Sequence, residues 1–129
     1  MTPAQMIAML DRHLAMYGED ITLRRVTGVR PQVFSDVTVR AAVKRIQVKD
    51  LVTGGDLAQE HLEVIISPTQ IDTAQWPGGV PVGGTIDPRV PVAATDKLVI
   101  RERVRQVQNV DAKYRDDVLV RVDMVVEGG

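Results

Sequence analysis

The first signal in the chain is a helix start. Thr2 is a fitting N-cap, Pro3 takes the first helical position, and Gln5 stands three residues after the cap. Met6, Ile7, Leu10, Leu14 and Tyr17 then fall on one side of a helix, and Gly18 ends it. Met6, Met9 and Met16 make this helix soft and adaptable. Two readings stay open: a helix packed on its own sheet, or a segment that docks onto a partner ring.

After Gly18 the period changes from helix to strand. Residues 21–26 form a short β candidate. Val37, Val39, Ala41 and Val43 alternate with Thr38, Arg40, Ala42 and Lys44, a period of two. Ile46 and Val48 fall on the opposite parity, which predicts a bulge or bend between Val43 and Ile46. Residues 53–56 (TGGD) read as a turn. Leu62, Val64 and Ile66 make another strand, stopped by Pro68, and residues 67–72 are long enough for one helical turn.

Residues 72–95 differ in kind. Pro77, Pro81, Pro88 and Pro91, with the pairs Gly78-Gly79 and Gly83-Gly84, exclude a central strand. Yet Trp76, Val80, Val82, Ile86 and Val90 are not linker residues. A loop this long inside a compact domain is usually functional or disordered. It reads as an extended loop that orders against something, either the end of its own barrel or a partner. From residue 96 the β signals return. Leu98 and Ile100 are followed by Val104 and Val107 with a change of parity. Residues 112–117 read as polar and turn-like. Val118, Val120, Val122, Met124 and Val126 give the cleanest alternation, although Leu119 and Val125 put apolar groups on the second face.

These elements predict a mainly β fold: a small barrel or sandwich of five to six antiparallel strands, one N-terminal helix and a long Gly/Pro-rich loop. The 129 residues fit a single domain, 1–129. Its parts are the helix at 1–18, the first strands at 20–67, the loop at 72–95 and the C-terminal strands at 96–127. A chain of this length buries roughly two-thirds of its unfolded surface, enough for a core without staples.

Composition removes several chemistries. There is no cysteine, hence no disulfide, thiolate site or thiol nucleophile, which fits a reducing compartment. No stretch reads as a signal peptide or a membrane span. His13 and His61 lack metal-ligand spacing and read as structural or surface histidines. Neither Ser35 nor Ser67 sits in a nucleophile elbow, and the Gly-Gly pairs lack the Lys-Ser/Thr of a phosphate loop. Asp116 and Asp117 are adjacent, so on a strand their carboxylates diverge. The expectation is no catalytic residue, metal or cofactor.

The net charge is −1, but its distribution is uneven. Residues 21–49 carry seven bases and one acid, and residues 50–96 carry seven acids and one base. Such blocks either neutralise each other within one sheet or place opposite charges on two flanks of a protomer. In the second case head-to-tail contacts close a ring. Arg24, Arg25, Arg40, Glu60, Glu63, Trp76 and Arg89 are then the interface candidates, and charge reversal at Arg24/Arg25 or Glu60/Glu63 is expected to weaken ring assembly. The basic block also suits phosphates. Only Phe34 among the four aromatics lies within it, which argues against a base-stacking reader.

The order of elements resembles the head-closure (stopper, head-completion) connector family of tailed bacteriophages and prophages. The matching pieces are the helix at 6–18, the strand start Ile21-Thr22-Leu23-Arg24-Arg25, and the bent strand at 37–48. The strand running from Leu62 to Ser67-Pro68, Asp96-Lys97-Leu98-Val99-Ile100 and the final strand at 118–129 complete the set. The likeness spans nearly the whole chain as a pattern of elements, and residues 76–91 have no counterpart in it. The resemblance implies a virion neck protein, assembled in the host cytoplasm. It would form a ring, commonly a hexamer, between portal or adaptor and the tail-terminator or tail-tube proteins. The ring would close the DNA channel, with non-specific DNA contact and no membrane. Competing readings are a tail-terminator ring, a stand-alone small-barrel module for nucleic acid or peptide, and an unrecognised enzyme.

Overall fold

The computed structural model describes residues 2–29, 32–47, 60–74, 76, 90–91 and 96–127. In chain order the elements are α1 (Pro3–Tyr17), β1 (Glu19–Val29), β2 (Gln32–Gln47), β3 (Glu60–Ile66), α2 (Thr69–Ala74), β4 (Lys97–Ile100), β5 (Arg103–Arg115) and β6 (Val118–Glu127). The strands close into one antiparallel barrel in the order β1-β2-β3-β6-β5-β4. Closure comes from β4 pairing with β1 through Leu23↔Leu98 and its neighbours. Closure pairs both edges where the strands overlap, while β5 beyond Gln106 and β6 before Val122 pair only with each other. Of the two architectures left open by the sequence, barrel and sandwich, the barrel is the one formed.

Alternation fills the interior. Ile21 and Leu23 of β1, Val37, Val39 and Ala41 of β2, and Leu62, Val64 and Ile66 of β3 all point inward and are buried. Leu98, Ile100, Val107, Val122, Met124 and Val126 complete the same cluster. β2 is shared between two partners: its first part pairs with β1, its last with β3, and Ala41 takes part in both.

Three departures from strict alternation are visible, not all where the sequence put them. The β2–β3 register runs unbroken from Ala41↔Ile66 to Gln47↔Glu60, so the bulge expected between Val43 and Ile46 is absent. The β1–β2 pairing carries a bulge instead, in β1 between Val26 and Gly28, opposite consecutive β2 residues. β5 carries a shift at Gln108, which explains the parity change from Val107 to Val110 and Ala112. β6 carries one at Val120, which lets Leu119 enter the core beside Val122. The expected turn at 112–117 is also corrected: β5 extends to Arg115, and only Asp116-Asp117 turn.

Topology explains the long connection. In the ring of six strands β3 and β4 lie opposite each other, two strands apart in either direction. The chain must therefore pass from one side of the ring to the other between them. α2 begins that crossing, so residues 72–74 of the expected loop are helical, and it sends Ile71 and then Trp76 into the core cluster. The turn predicted at 53–56, Val48, Arg89 and the two Gly-Gly pairs fall outside the described residues.

Candidate functional site

Arg25 follows Ile21 and Leu23 on the inward parity of β1 and reaches Trp76, Val90 and Asp96. Its Nη2 donates to Asp96 Oδ2 at 2.7 Å and to the Val90 carbonyl at 3.1 Å, while Nε donates to Asp96 Oδ1 at 3.1 Å. The guanidinium lies 4.5 Å above the Trp76 ring, and Trp76 Nε1 donates to the Ser35 carbonyl at 2.9 Å. Ser35 is the residue opposite Arg25 in β2. One planar cation thus ties together the start of the crossing (Trp76), its end (Val90, Asp96) and the β1–β2 hairpin. The Asp96 side chain is 1% exposed and that of Arg25 19%, so this is an internal clamp and not surface free for a partner.

Arg40 is likewise used within the chain. α1 has no basic residue in its last turn. Arg40 of β2 supplies the missing cation from outside, donating to the Leu14 and Ala15 carbonyls at 3.0 and 3.3 Å while pairing with Asp20. Gly18 completes the junction. A Cβ there would stand 2.5 Å from the Leu14 carbonyl oxygen and 2.7 Å from that of Ala41. Its φ of −90° is ordinary, so glycine is required by close approach of the backbones, not by a left-handed cap. At the other end of α1 the capping box forms as the sequence predicts, Thr2 Oγ1 accepting from the Gln5 amide and Gln5 Oε1 from the Thr2 amide.

Arg24 points outward, where it makes a two-point pair with Asp36 and stacks 4.9 Å over Phe34. The Asp36 hydrogen bonds raise its pKa above the usual arginine value. Glu63 sits opposite Lys44 across β2 and β3. Arg25–Asp96 and Lys44↔Glu63 both join the basic block to the acidic one inside a single sheet. Glu60 pairs with Gln47 through the backbone at the start of β3. The sequence-derived candidates therefore do not converge on one patch: Arg25 and Trp76 form the clamp, Arg40 holds the helix, and Arg24 and Glu63 lie on the outer wall.

The surface left uncovered lies elsewhere. Leu14 is the one residue of α1 that is fully buried, whereas Met9, Met16 and Tyr17 are 52%, 71% and 70% exposed. Beside α1 runs a groove of ≈ 580 Å³, walled on its far side by the β5–β6 hairpin. Met6, Met9, Leu10 and Val120 give it an apolar floor, and Tyr114 stands half-exposed at its edge. Val120 is buried but outside the barrel cluster, because the β6 bulge turns it out beneath the helix. Lys113, Arg115 and Arg121 line the rim, with His13, which packs 5.1 Å from the Tyr17 ring. Sequence periodicity offered one trace of this site: the apolar Leu119 on the second face of an otherwise clean strand.

Arg105, another residue the sequence did not single out, is 8% exposed on the inward parity of β5, opposite Leu98. Its Nη1 donates to the Glu127 carbonyl, while Nε has no partner. Burial, reinforced by Arg103 and Arg101, pushes its pKa below the usual arginine value. Among the described residues no group of three or more His, Asp or Glu is placed to hold a metal, and no helix is long and apolar enough to cross a membrane.

No protein-family model, curated protein or solved structure matches this chain.

Proposed function

We propose that this chain is a non-enzymatic assembly protein of a tailed-phage neck. It would form a ring between portal or adaptor and tail that closes the DNA channel and offers the tail its platform. The observation that carries the reading is α1 on its closed barrel: an N-terminal helix fastened at its C-terminal end, with Met9, Met16 and Tyr17 left in solvent. Large apolar side chains grouped on one exposed face are the mark of a surface that another protein covers. The order of an N-terminal helix, a run of antiparallel strands and a final long strand supports the connector resemblance, whereas the strand at 37–48, expected bent, keeps an unbroken register from Ala41 to Gln47. Partner choice in such a ring rests on shape and charge complementarity, with no substrate.

The test is electron microscopy of particles assembled without the chain, before and after adding it back. Packed heads beside complete, separate tails, joined on addition, are expected. Joined virions in its absence would overturn the neck role, and tails of uncontrolled length would reassign it to a tail terminator.

A further inference from the structure

We propose that Arg103 and Arg105, at the start of β5, form a binding site for a small, doubly charged oxyanion of the phosphate type. The inference stands on the arginines of the barrel and does not depend on the neck role.

Arginine holds an oxyanion best through the fork of its Nε and Nη2 groups, which meets two oxygens at once. Three arginines of this chain use the fork in that way. Arg24 closes it on Asp36, Arg25 on Asp96 and Arg101 on Glu19, at distances from 2.7 to 3.2 Å. Arg105 does not. Its Nη1 donates at 3.0 Å to the main-chain carbonyl of Glu127, not to a carboxylate. Its Nε is sealed from solvent without an acceptor, and its Nη2 makes no bond among the described residues. The empty fork belongs to a side chain that tolerates it poorly, because Arg105 is 8% exposed. A guanidinium does not shed its proton to escape burial. A buried charge without a counter-ion is costly.

The neighbours sharpen this imbalance. Arg103 and Arg105 stand opposite Ile100 and Leu98 of β4, both core residues, so the two side chains leave β5 on the same face. Arg103 is exposed and has no acidic partner among the described residues. Arg101, in the turn just before, already fills its fork with Glu19. The effect of burial on the Arg105 pKa is reinforced by Arg103 and Arg101, all in the same downward direction. Two cations therefore share one face, and the described residues give neither of them an acid.

What would answer them has a definite chemistry. A carboxylate brings one charge and two oxygens, which a single fork consumes. A tetrahedral phosphate offers oxygens to both guanidinium groups at once and carries close to two negative charges at about pH 7. The exposed Arg103 leaves the site open to solvent on one side.

The test is a titration of the full chain with sodium phosphate, against sodium chloride at matched ionic strength. Arginine 15Nε–1H signals and thermal melting are followed together. Phosphate is expected to shift the Arg105 signal saturably, and chloride is not. The Arg101 signal, held by Glu19, should stay in place. The melting temperature should rise as the site fills. Acetate should bind about tenfold more weakly than phosphate, for want of the second charge-assisted contact. Arg103→Gln, on a solvated side chain, should weaken phosphate by about tenfold. Arg105→Met, which keeps an apolar stem in the buried position, should remove the saturable rise in melting temperature. An unmoved Arg105 signal in phosphate would overturn the proposal. A rise in melting temperature equal in the native chain and both variants would do so too, as the general exclusion effect of phosphate. Acetate binding as tightly as phosphate would reduce the site to one carboxylate fork and overturn it. An oligonucleotide that shifts Arg105 where inorganic phosphate does not would also overturn it, by giving the two arginines to a polymer backbone.

Discussion

The Arg25 clamp and the outward face of α1 use apolar and charged residues in opposite ways. In the clamp Arg25, Asp96 and Trp76 satisfy one another, and the indole is 4% exposed. On the helix, Met9, Met16 and Tyr17 are 52%, 71% and 70% exposed, and the nearby Arg115 has no acidic partner among the described residues. Both regions were interface candidates in the sequence, the first through Arg25 and Trp76, the second through the methionines of its helix. The structure separates them. A charge that is paired and desolvated within the chain belongs to folding. A charge and an apolar face left to solvent are available for binding.

The largest expected effect follows from that separation. Arg25→Ala or Asp96→Ala strands a buried charge and should cost about 3–5 kcal/mol in denaturant unfolding. Trp76→Ala should cost a similar amount, about 3–5 kcal/mol, through the cavity it leaves in the core. The Arg25→Ala/Asp96→Ala double variant should cost clearly less than its two singles together, since the second change removes the charge stranded by the first. Additive costs would mean that the two side chains act separately and that there is no clamp. Charge reversal at Arg25 consequently reports on folding; Arg115, or Arg24 on the outer wall, is the position from which to question assembly.

Gly18→Ala comes next. The added methyl would meet two backbone carbonyls, neither of which can rotate away, so α1 must lift from β2. A cost of about 1–3 kcal/mol is expected, in the range of overpacking. Loss of the Arg40 bonds to the Leu14 and Ala15 carbonyls should accompany it, seen as faster amide exchange in the last turn of α1. An unchanged melting curve would show that the helix is not held from its C-terminal end.

Much of the fold was legible because it is written in local periods. The capping box, the alternation in β2, β3 and β6 and the proline-rich interruption each state their element within a few residues. The crossing was legible as an oddity but not as a necessity, since only the strand order puts β3 and β4 on opposite sides of the ring. The clamp was not legible at all. Arg25 and Asp96 are 71 residues apart, and no local pattern says that two charges will be buried together. The groove depends on the bulge at Val120, a single inserted residue that sends a valine out of the barrel and under a helix more than a hundred positions away in the chain. Periodicity records such an insertion only as noise, which is also why the β2 bulge was expected where none exists.

A smaller effect separates backbone strain from burial. Both C-terminal hairpins turn through two residues with positive φ, Arg101-Glu102 at 52° and 65° and Asp116-Asp117 at 51° and 63°. Two-residue turns of this shape favour Asn-Gly. Glu102→Gly should therefore stabilise the chain by about 1 kcal/mol, and Asp117→Gly by less, because aspartate tolerates the left-handed region better. Thermal melting reads both. The second variant matters more for the comparison, because its turn ends the hairpin that walls the groove.

The smallest effect tests the helix face itself. Met16 is 71% exposed and two residues from the fully buried Leu14. If the outward face of α1 plays no part in holding the chain together, Met16→Gln should change stability by no more than about 0.5 kcal/mol, the usual range for a solvated position. Methionine and glutamine have similar helix propensities, so any larger change has to come from contacts of the side chain. A loss above about 1 kcal/mol would mean that something in the same molecule packs on Met16. The exposed face would then be part of the fold, and the contrast with the clamp would fail. A null effect on stability combined with weaker head–tail joining would put the same methionine to work between molecules, because a side chain that contributes nothing to folding can affect joining only through what it touches in the assembly.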